Sequence, residues 1–372
     1  MSTFSTEDHA RMARALQLAA NGLYSTPPNP SVGCVIVRDG QVRGEGFHRR
    51  AGEAHAEVIA LEAAGATARG STAYVSLEPC AHRGRTPPCA EAMIAAGVTR
   101  VVAATGDPNP SVNGGGLARL AAAGIEVQCG LLESAATELN RGFLSRMRRG
   151  RPWVTLKTAA SLDGRTALAS GASRWITGQA ARADVQRMRA RSSAILTGVG
   201  TVCADDPELT VRDESLAMLG RRPLRVVMDP GLRIPRRSKL LQGPAPTLVF
   251  AGEASRVNAI DEAGPEVRLE TLPVDDGGLD LVAVLARLAA LECNEVLVEA
   301  GPTLGGSLLR QGLVDEWVLY VAATVLGDTA RPLAMLPELQ DMSARWRFQW
   351  RDLRQVGEDL RLTLRPHRGG RG

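Results

Sequence analysis

The spacing of apolar residues divides the N-terminal third of the chain into alternating helices and strands. Met12, Leu16 and Ala19 recur at helical spacing and predict a helix over 7–21. The pattern continues with strands over 32–37, 41–47, 72–77, 98–104 and 125–129 and with helices over 54–65, 90–97 and 116–123. This alternation predicts a layered α/β domain in which helices pack on a sheet.

The pattern breaks in a stretch rich in Gly and Arg at 142–151, and a second α/β series begins at Pro152. The basic run at 146–151 is typical of a solvated connector. Beyond it the pattern predicts strands over 153–160, 193–197, 224–228, 246–250, 294–299 and 316–323 and helices over 178–191, 279–291 and 304–311. We therefore predict two α/β domains, 1–147 and 148–372, which the length of 372 residues also favours.

Composition narrows the class of protein and the kind of partner. The 44 basic and 40 acidic residues leave a net charge of +4, too small and too dispersed to indicate nucleic-acid binding. Aromatic residues make up only 3% of the chain and offer few surfaces for stacking bases. The sequence shows neither a secretory signal nor an apolar stretch of about 20 residues that would span a membrane. Since six cysteines in so long a chain are not a disulfide framework, we expect a cytoplasmic protein with no membrane or nucleic-acid partner.

Three short pieces of the first domain carry residue types that bind zinc in enzymes. His55 and Glu57 open a predicted helix, Cys80 follows a predicted strand, and Cys89 opens the next helix. One imidazole and two thiolates give zinc three protein ligands and leave its fourth position to water, which is the catalytic arrangement. His55 and Glu57 converge only where the helix begins, because residues two apart in a regular helix point to different sides. We predict His55, Cys80 and Cys89 as zinc ligands and Glu57 as the catalytic proton shuttle.

The spacing between the two cysteines narrows the family. Many nucleoside deaminases place two residues there, whereas eight residues separate Cys80 from Cys89. The stretch LEPCAHRGRTPPC, together with PNPSVGCVIV and TGDPNP, resembles the deaminase domain of the bacterial bifunctional riboflavin biosynthesis proteins. The resemblance implies a cytidine-deaminase-like domain of three layers. We expect His82, which lies between the cysteines, to touch substrate or solvent and not the metal.

A glycine-rich turn between a predicted strand and a predicted helix is the main feature of the second half. From its spacing alone, the turn at 298–307 either brings backbone amides to a phosphate or is a tight turn without a ligand. The stretches TLKTAASLDGRTALASGASRWITG (155–178), ILTGVGTVCADDPELTVR (195–212) and VEAGPTLGGSLL (298–309) resemble the reductase domain of the same bifunctional proteins. That resemblance implies a dihydrofolate-reductase-like α/β domain that uses NADPH.

The resemblance also implies roles for individual residues of the second half. Those implied for NADPH are Ala159, Trp175, Thr201, Asp205, Gly301, Pro302, Thr303, Leu304, Gly305, Gly306 and Ser307. Those implied for the substrate are Ser173, Arg189, Leu209, Arg212 and Glu299. Arg189 and Arg212 carry the side chain that clamps a ribose phosphate bidentately, and Lys157 is a candidate, with Asp205, for orienting the sugar. Where the family has a serine that contacts the nucleotide, this chain has Asp229 followed by Pro230.

Together these features predict a bifunctional enzyme of riboflavin synthesis. The resemblance implies zinc-hydroxide deamination of 2,5-diamino-6-(5-phosphoribosylamino)pyrimidin-4-one, followed by NADPH-dependent reduction of the ribosyl side chain to ribityl. Two alternatives stay open: a nucleic-acid-editing zinc deaminase with an accessory domain, and a non-enzymatic protein with structural zinc. The long loop between the cysteines counts against the first, and the three-ligand set counts against the second. Because such domains often pair, we expect a homodimer or a homotetramer.

Overall fold

The computed structural model describes residues 4–81, 88–253, 263–275 and 278–367. The chain forms two compact units, of which the first comprises Met1–Arg151 with Ala217–Arg221 and the second comprises Pro152–Leu216 with Arg222–Gly372. Each unit is built on one large β-sheet. Within the described ranges, no helix combines the length and the apolar character that crossing a membrane requires.

The first unit is built on a five-stranded mixed sheet. Its strands are β1 (Gly33–Arg38), β2 (Gln41–Phe47), β3 (Thr72–Val75), β4 (Arg100–Ala103) and β5 (Glu126–Cys129). They lie in the order β2-β1-β3-β4-β5. β1 pairs antiparallel with β2 and β3, whereas β3, β4 and β5 are parallel. The Asp-Gly turn at 39–40 joins β1 to β2, and both of its residues have a positive φ, as a tight hairpin turn requires.

Alternate residues of β1 enter cores on opposite faces of this sheet. Cys34 and Ile36 pack with helices on one face, and Val35 and Val37 pack with helices on the other. The helices of the first face are α2 (Ala56–Ala64), α3 (Cys89–Ala96) and α4 (Gly115–Ala122), and those of the second are α1 (Thr6–Ala20) and α5 (Glu133–Leu139). The first unit is therefore the three-layer domain expected of a cytidine-deaminase-like fold.

The predicted break at 142–151 is instead largely a helix, α6 (Arg141–Arg149). Phe143 and Leu144 are buried with Leu77, and arginines occupy the last turn of the helix. Basic residues suit that turn because it carries the partial negative charge of the helix dipole. The three large apolar residues of this nine-residue helix, Phe143, Leu144 and Met147, are too few to establish a helical period in the sequence, so the pattern predicts a connector there.

A buried carboxylate attaches α1 to the sheet. Asp8 is 5% exposed and accepts hydrogen bonds from the Tyr74 hydroxyl (2.7 Å), the Arg100 guanidinium (2.7 Å) and the backbone N–H of Ser5 (2.8 Å). The Ser5 side chain accepts in return from the N–H of Asp8 (3.1 Å), which completes a capping box at the start of α1. The hydrogen bond from Arg100 is the largest cause that holds the pKa of Asp8 well below its usual range.

We expect Asp8→Asn to lower the free energy of unfolding of the first unit by about 1.5–3 kcal/mol, the usual contribution of a hydrogen bond to a charged group. The difference should shrink in acid. A carboxyl with a depressed pKa stabilises the fold above its unfolded pKa of about 3.9 and loses that contribution as the pH falls toward its folded pKa. Urea unfolding at pH 7 and at pH 3 measures both effects, and a difference that does not change with pH would contradict this account.

The second unit is built on a nine-stranded sheet. The strands of the unit are β6 (Trp153–Ser161), β7 (Arg165–Ala167), β8 (Ala194–Gly198), β9 (Leu224–Met228), β10 (Thr247–Gly252), β11 (Val267–Leu272), β12 (Val274–Asp275), β13 (Gly278–Leu279), β14 (Glu295–Val298), β15 (Glu316–Ala322), β16 (Arg331–Pro332), β17 (Phe348–Val356) and β18 (Asp359–Pro366). The large sheet has the order β11-β10-β9-β8-β14-β6-β15-β18-β17. In this spatial order, the first seven strands, β11 through β15, are parallel to one another. The last two, β18 and β17, are antiparallel to their neighbours and form one edge of the sheet.

Helices cover both faces of the parallel part of this sheet. They are α7 (Gln179–Arg191), α8 (Val199–Asp205), α9 (Lys239–Gln242), α10 (Leu281–Ala290) and α11 (Pro302–Arg310). Leu156 and Val226 pack with α10 and α11 on one face, whereas Ile195, Val227 and Val249 pack with α8 and α9 on the other. Parallel strands buried on both faces read as continuous apolar runs, which is the pattern seen in the sequence. The second unit is the dihydrofolate-reductase-like α/β domain.

The sequence pattern does not predict the final hairpin of β17 and β18. Every residue of β17 between its two ends is exposed, including Trp350 at 64% and Leu353 at 61%. A strand exposed on both faces has no reason to alternate apolar with polar residues. Periodicity therefore carries no information about it.

Candidate active sites

Three chain segments bring His55, Cys80 and Cys89 together in the first unit. His55 is the N-cap of α2, and its backbone is extended (φ −75°, ψ 159°). Cys89 is the first residue of α3. Cys80 follows β3, and its carbonyl accepts the N–H of Ala90 (3.1 Å), which places the Cys80 segment against the start of α3.

These three side chains fit a zinc ion. His55 Nδ1 lies 3.1 Å from Cys89 Sγ and 3.6 Å from Cys80 Sγ, and the three ligand atoms all lie within 4.8 Å of one another. Tetrahedral zinc, with bonds of about 2.0–2.1 Å to nitrogen and about 2.3 Å to sulfur, needs ligand atoms about 3.5–3.8 Å apart. Among the residues that the structure describes, no other group of three or more His, Cys, Asp or Glu side chains could hold a metal in this way. His82 lies outside the described residues.

The ligand side chains polarise one another. The hydrogen bond with Cys89 is the largest cause that lowers the pKa of Cys80, and the same contact raises the pKa of Cys89. The hydrogen bond with Cys80 is in turn the largest cause that raises the pKa of His55. When a metal ion binds to a thiolate and a protonated imidazole, the imidazole releases its proton, because metal ligands must be deprotonated.

Glu57 lies beside this group as the second residue of α2. It is 3% exposed, and burial is the largest cause that raises its pKa, with His55 opposing that effect. Because α2 begins at residue 56, Glu57 lies in its first turn, next to the N-cap histidine, where we expect the two side chains to converge. A carboxyl with a raised pKa at a metal site is suited to accept a proton and return it near neutral pH.

His48 supports His55, although no sequence motif identifies it as a site residue. It is 3% exposed, and its ring meets the His55 ring edge to face with 5.4 Å between centroids. Its Nδ1 lies 3.1 Å from the Ala54 carbonyl oxygen and its Nε2 lies 3.0 Å from Asn29 Nδ2. A neutral imidazole donates to the carbonyl and accepts from the amide, in agreement with a pKa that burial lowers. The one sequence feature that points to it is a histidine at the end of a strand, seven positions before the metal histidine.

Residues implied for NADPH lie at the carboxyl ends of three neighbouring strands of the second unit. Ala159 is near the end of β6, Thr201 follows β8 in α8, and Gly301 follows β14 as the N-cap of α11. A Cβ atom on Gly301 would lie 3.9 Å from Thr201 Oγ1, so the two segments meet. Carboxyl ends of adjacent parallel strands are where open α/β sheets bind their ligands.

Trp175 presents its ring at the surface of this unit. It is 71% exposed, and the Arg182 and Arg174 guanidinium carbons lie 4.5 and 5.9 Å from its ring centroid. Arg174 also donates to the backbone carbonyl of Asp205, which ties the Trp175 segment to the end of α8. Ser173 in the same segment is half-buried. An exposed aromatic ring among cations suits a planar ligand that carries negative charge.

Arg189 does not offer a free bidentate clamp for a phosphate, in contrast to the sequence expectation. Its Nε and Nη2 donate to the two carboxylate oxygens of Glu299 (2.6 and 2.9 Å), and its Nη1 donates to the Thr210 carbonyl (3.0 Å). Arg212 is the more accessible of the two arginines, since its side chain is 61% exposed and lies 3.6 Å from Glu208. A carboxylate partner 110 positions away occupies Arg189, and no local spacing reveals it.

Lys157 lies beside the ion pair of Arg189 and Glu299. Burial is the largest cause that lowers the pKa of Lys157, and the Glu299 carboxylate opposes it. Burial alone would raise the pKa of Glu299, but Arg189 and Lys157 hold it below its usual range. Glu299 therefore carries a negative charge beside two partly buried cations.

Leu209 lies in the core of the second unit. Its side chain is 3% exposed and packs with Val199 and Val202 of α8. Its φ of 49° is uncommon for a residue with a side chain. A substrate contact of Leu209, as the resemblance implies, is therefore confined to its backbone.

The glycine-rich segment after β14 has two structural roles. Residues 301–304 form the N-cap and the start of α11, where the N–H groups of Thr303 and Leu304 have no acceptor within the helix. Gly305 already donates its N–H to the carbonyl of Gly301 (3.2 Å). Gly306 is buried, and a Cβ there would lie 2.0 Å from the Met335 carbonyl oxygen. The predicted open turn is thus mostly helix, and Gly306 permits close packing.

We expect Gly306→Ala to lower the free energy of unfolding of the second unit by about 1–3 kcal/mol, as overpacking usually does. Gly305→Ala is the matched control, because its Cβ would lie 3.6 Å from Leu156, an ordinary contact, and alanine favours a helix by about 1 kcal/mol over glycine. Thermal unfolding of the two variants measures the difference. Equal stability would contradict the close-packing role of Gly306.

Fold and site define the class of the protein: a zinc-dependent deaminase domain joined to a reductase-type α/β domain. The family model of the cytidine and deoxycytidylate deaminase zinc-binding region matches residues 5–105, and that of the RibD C-terminal domain matches residues 152–362. The chain belongs to the RibD family, the bifunctional deaminase–reductases of riboflavin biosynthesis. Its cofactors are zinc in the first domain and NADPH in the second.

Relatives resemble the chain over nearly its whole length. It is 52% identical over 368 residues to the riboflavin biosynthesis protein RibD of Escherichia coli K12, covering 96% of this chain and 99% of that protein. It is 48% identical over 375 residues to RibD of Haemophilus influenzae, covering 98% and 99%. The solved structure of Acinetobacter baumannii RibD is similar with a TM-score of 0.89 at 47% identity, covering 97% of this chain and 99% of that one. A Thermotoga maritima structure described as a diaminohydroxyphosphoribosylaminopyrimidine deaminase/5-amino-6-(5-phosphoribosylamino)uracil reductase is similar with a TM-score of 0.85 at 34% identity, with the same coverage.

Proposed function

We propose that this chain carries out two successive reactions on one phosphoribosylaminopyrimidine. The first unit hydrolyses the 2-amino group of 2,5-diamino-6-(5-phosphoribosylamino)pyrimidin-4-one and releases ammonia. The second unit then reduces the ribosyl side chain of the product to ribityl at the expense of NADPH. The observation that carries the proposal is the group of His55, Cys80 and Cys89 at zinc-binding separation, with the buried Glu57 beside it. The activities named for the Thermotoga maritima relative support the choice of substrate.

In the first unit, His55, Cys80 and Cys89 hold the zinc, which when bound supplies an activated water at neutral pH. Glu57 accepts the two protons of that water in turn: it passes the first to the ring nitrogen and the second to the amine, which leaves as ammonia. Overall one water is consumed, a C–O bond replaces the C–N bond, and ammonia leaves. The raised pKa of Glu57 suits a group that must hold the proton between these transfers. His48 keeps the His55 ring in place through the edge-to-face contact.

In the second unit, NADPH when bound supplies a hydride to the sugar C1, and the bond between C1 and the ring oxygen opens as that oxygen takes up a proton. We assign its binding to the strand ends and to the start of α11, through Ala159, Trp175, Thr201, Asp205, Gly301, Pro302, Thr303, Leu304, Gly305, Gly306 and Ser307. Ser173, the Leu209 backbone and the accessible Arg212 meet the substrate, and Arg212 faces its phosphate. Glu299, which Arg189 holds in place, orients the sugar together with Lys157.

The choice of partner and location is part of the same proposal. A small phosphorylated substrate fits a net charge of +4 and an aromatic content of 3%, which give little support to a nucleic-acid partner. We propose that the enzyme is a homodimer or homotetramer located in the cytoplasm.

The test is one assay of the full chain with the diaminopyrimidinone ribotide, in which ammonia release and NADPH oxidation are followed together. Both signals should appear in sequence, and removal of zinc should stop both, because the second reaction depends on the product of the first. Supplying the deaminated ribotide to zinc-free protein should restore NADPH oxidation. Ammonia without NADPH oxidation would overturn the reductase assignment, and neither signal with zinc present would overturn the choice of substrate.

A further inference from the structure

Glu78 is a buried carboxylate that the chemistry described above does not use. It is 4% exposed and lies two residues before Cys80. Each of its oxygens accepts two backbone hydrogen bonds of 3.0–3.2 Å, and the four donors are the N–H groups of Asp107, Gly114, Gly116 and Leu117. Four such bonds occupy the acceptor positions of a carboxylate in the interior of the protein.

The position of these donors makes Glu78 the cap of α4. That helix begins at Gly115, and its N-cap residue, Gly114, has no side chain that could accept from the first turn. Glu78 supplies the missing acceptor from another segment, at the helix end that favours a negative charge. At Gly116 a Cβ would lie 1.7 Å from the Pro79 carbonyl oxygen, so the segment leading to Cys80 rests directly on the first turn of α4.

The same helix also holds the segment of the second cysteine. Arg119 of α4 donates to both carboxylate oxygens of Glu91 (2.6 and 3.1 Å), and Glu91 lies in the first turn of α3, which begins at Cys89. The N–H of Cys89 points at Cys80 Sγ (3.4 Å). Both thiol groups are thus carried by segments that rest on α4, and Glu78 attaches one of those segments.

We propose that Glu78 is a positioning residue of the zinc site, which fixes the place of Cys80 relative to Cys89 by tying the Cys80 segment to α4. The proposal rests on the assignment of these two cysteines as zinc ligands. A glutamine cannot take over the role of Glu78, since an amide has a single acceptor oxygen and its NH₂ group would face two N–H donors. The metal site then depends on a carboxylate that itself contacts none of the ligand atoms.

The experiment measures zinc affinity of Glu78→Gln in the full chain by competition with a chromophoric chelator. We expect the affinity to fall about 10–100-fold, as is usual when a group that orients metal ligands is lost. The visible spectrum of the cobalt-substituted variant should also change, because it reports the arrangement of the two thiolates. Asp8→Asn is the matched control: it removes a buried carboxylate of the same unit that also accepts a backbone N–H, and it should leave zinc affinity and the cobalt spectrum unchanged.

Three outcomes would overturn the proposal. The first is that Glu78→Gln binds zinc within about twofold of the parent affinity and keeps the parent cobalt spectrum. The second is that Asp8→Asn loses as much zinc affinity as Glu78→Gln does. The third is that Glu78→Gln fails to fold even with zinc present, which would make Glu78 a residue required for folding. The variant Cys80→Ser tests the assignment of Cys80 as a zinc ligand separately from the positioning role of Glu78. If Cys80→Ser keeps the parent affinity for zinc, the ligand assignment is wrong; if it loses zinc while Glu78→Gln does not, only the positioning role is wrong.

Discussion

Glu57→Gln is expected to lower the kcat of ammonia release by about 10²–10⁴-fold, the usual contribution of a general acid–base group. Glutamine has nearly the same shape but neither accepts nor returns a proton. Because Glu57 is 3% exposed, an uncharged replacement removes a buried ionisable group and should not destabilise the unit. The measurement is the steady-state rate of ammonia release with the diaminopyrimidinone ribotide, together with zinc content and thermal unfolding.

The matched control for Glu57 lies on the same helix. Glu62 of α2 is exposed, so Glu62→Gln makes the same chemical change away from the metal site and should leave the rate unchanged. Glu57→Gln should also keep its zinc and its NADPH oxidation with the deaminated ribotide. A Glu57→Gln protein that retains more than about a tenth of the parent rate would contradict the proton-shuttle role, given the usual size of that contribution. A loss of zinc would instead point to a role in metal binding.

Elements with a long buried apolar face are predictable from the sequence, and exposed or short ones are not. The predicted strands at 153–160 and 224–228 agree with β6 and β9 to within one residue at each end, because buried strands read as apolar runs. The hairpin of β17 and β18 was missed, since β17 is exposed on both faces. α6 was missed for a related reason, because only a short apolar face distinguishes it from a connector.

The site could be predicted only where one motif carries the chemistry. His55, Cys80 and Cys89 stand at the starts of elements in an order that indicates zinc. Glu78 acts through backbone amides and His48 through the ring of His55, and two of the amides that Glu78 accepts from lie 38 and 39 positions away. Pairings of that kind arise from tertiary packing, which a motif in a single sequence does not encode.

The ion pair of Arg189 and Glu299 is also a long-range pairing that no sequence motif reveals. Breaking it is expected to cause a large loss of stability in the second unit. Glu299→Gln is expected to lower the free energy of unfolding of that unit by about 3–5 kcal/mol, because it leaves a buried guanidinium without its carboxylate. The side chains of the pair are only 11% and 14% exposed, and Lys157 adds a second, partly buried cation nearby. The matched control is Glu270→Gln, which breaks a bidentate pair with Arg287 whose side chains are 25% and 39% exposed, and which should cost about 1 kcal/mol or less.

Two measurements distinguish the electrostatic account of Glu299→Gln from a simple packing defect: the stability of the variant in acid and the stability of a double variant. Since the folded pKa of Glu299 is depressed, its contribution is present above the unfolded pKa of about 4.3 and is lost as the pH falls toward the folded pKa, so the difference from the parent should shrink below about pH 4. Replacing both partners, as Arg189→Met with Glu299→Leu, should recover part of the stability, because the guanidinium no longer lies without its carboxylate, whereas Lys157 still lacks Glu299. The double variant should still fail to oxidise NADPH with the deaminated ribotide, since Glu299 also orients the sugar. Recovered turnover in that variant would show that the pair serves the fold alone.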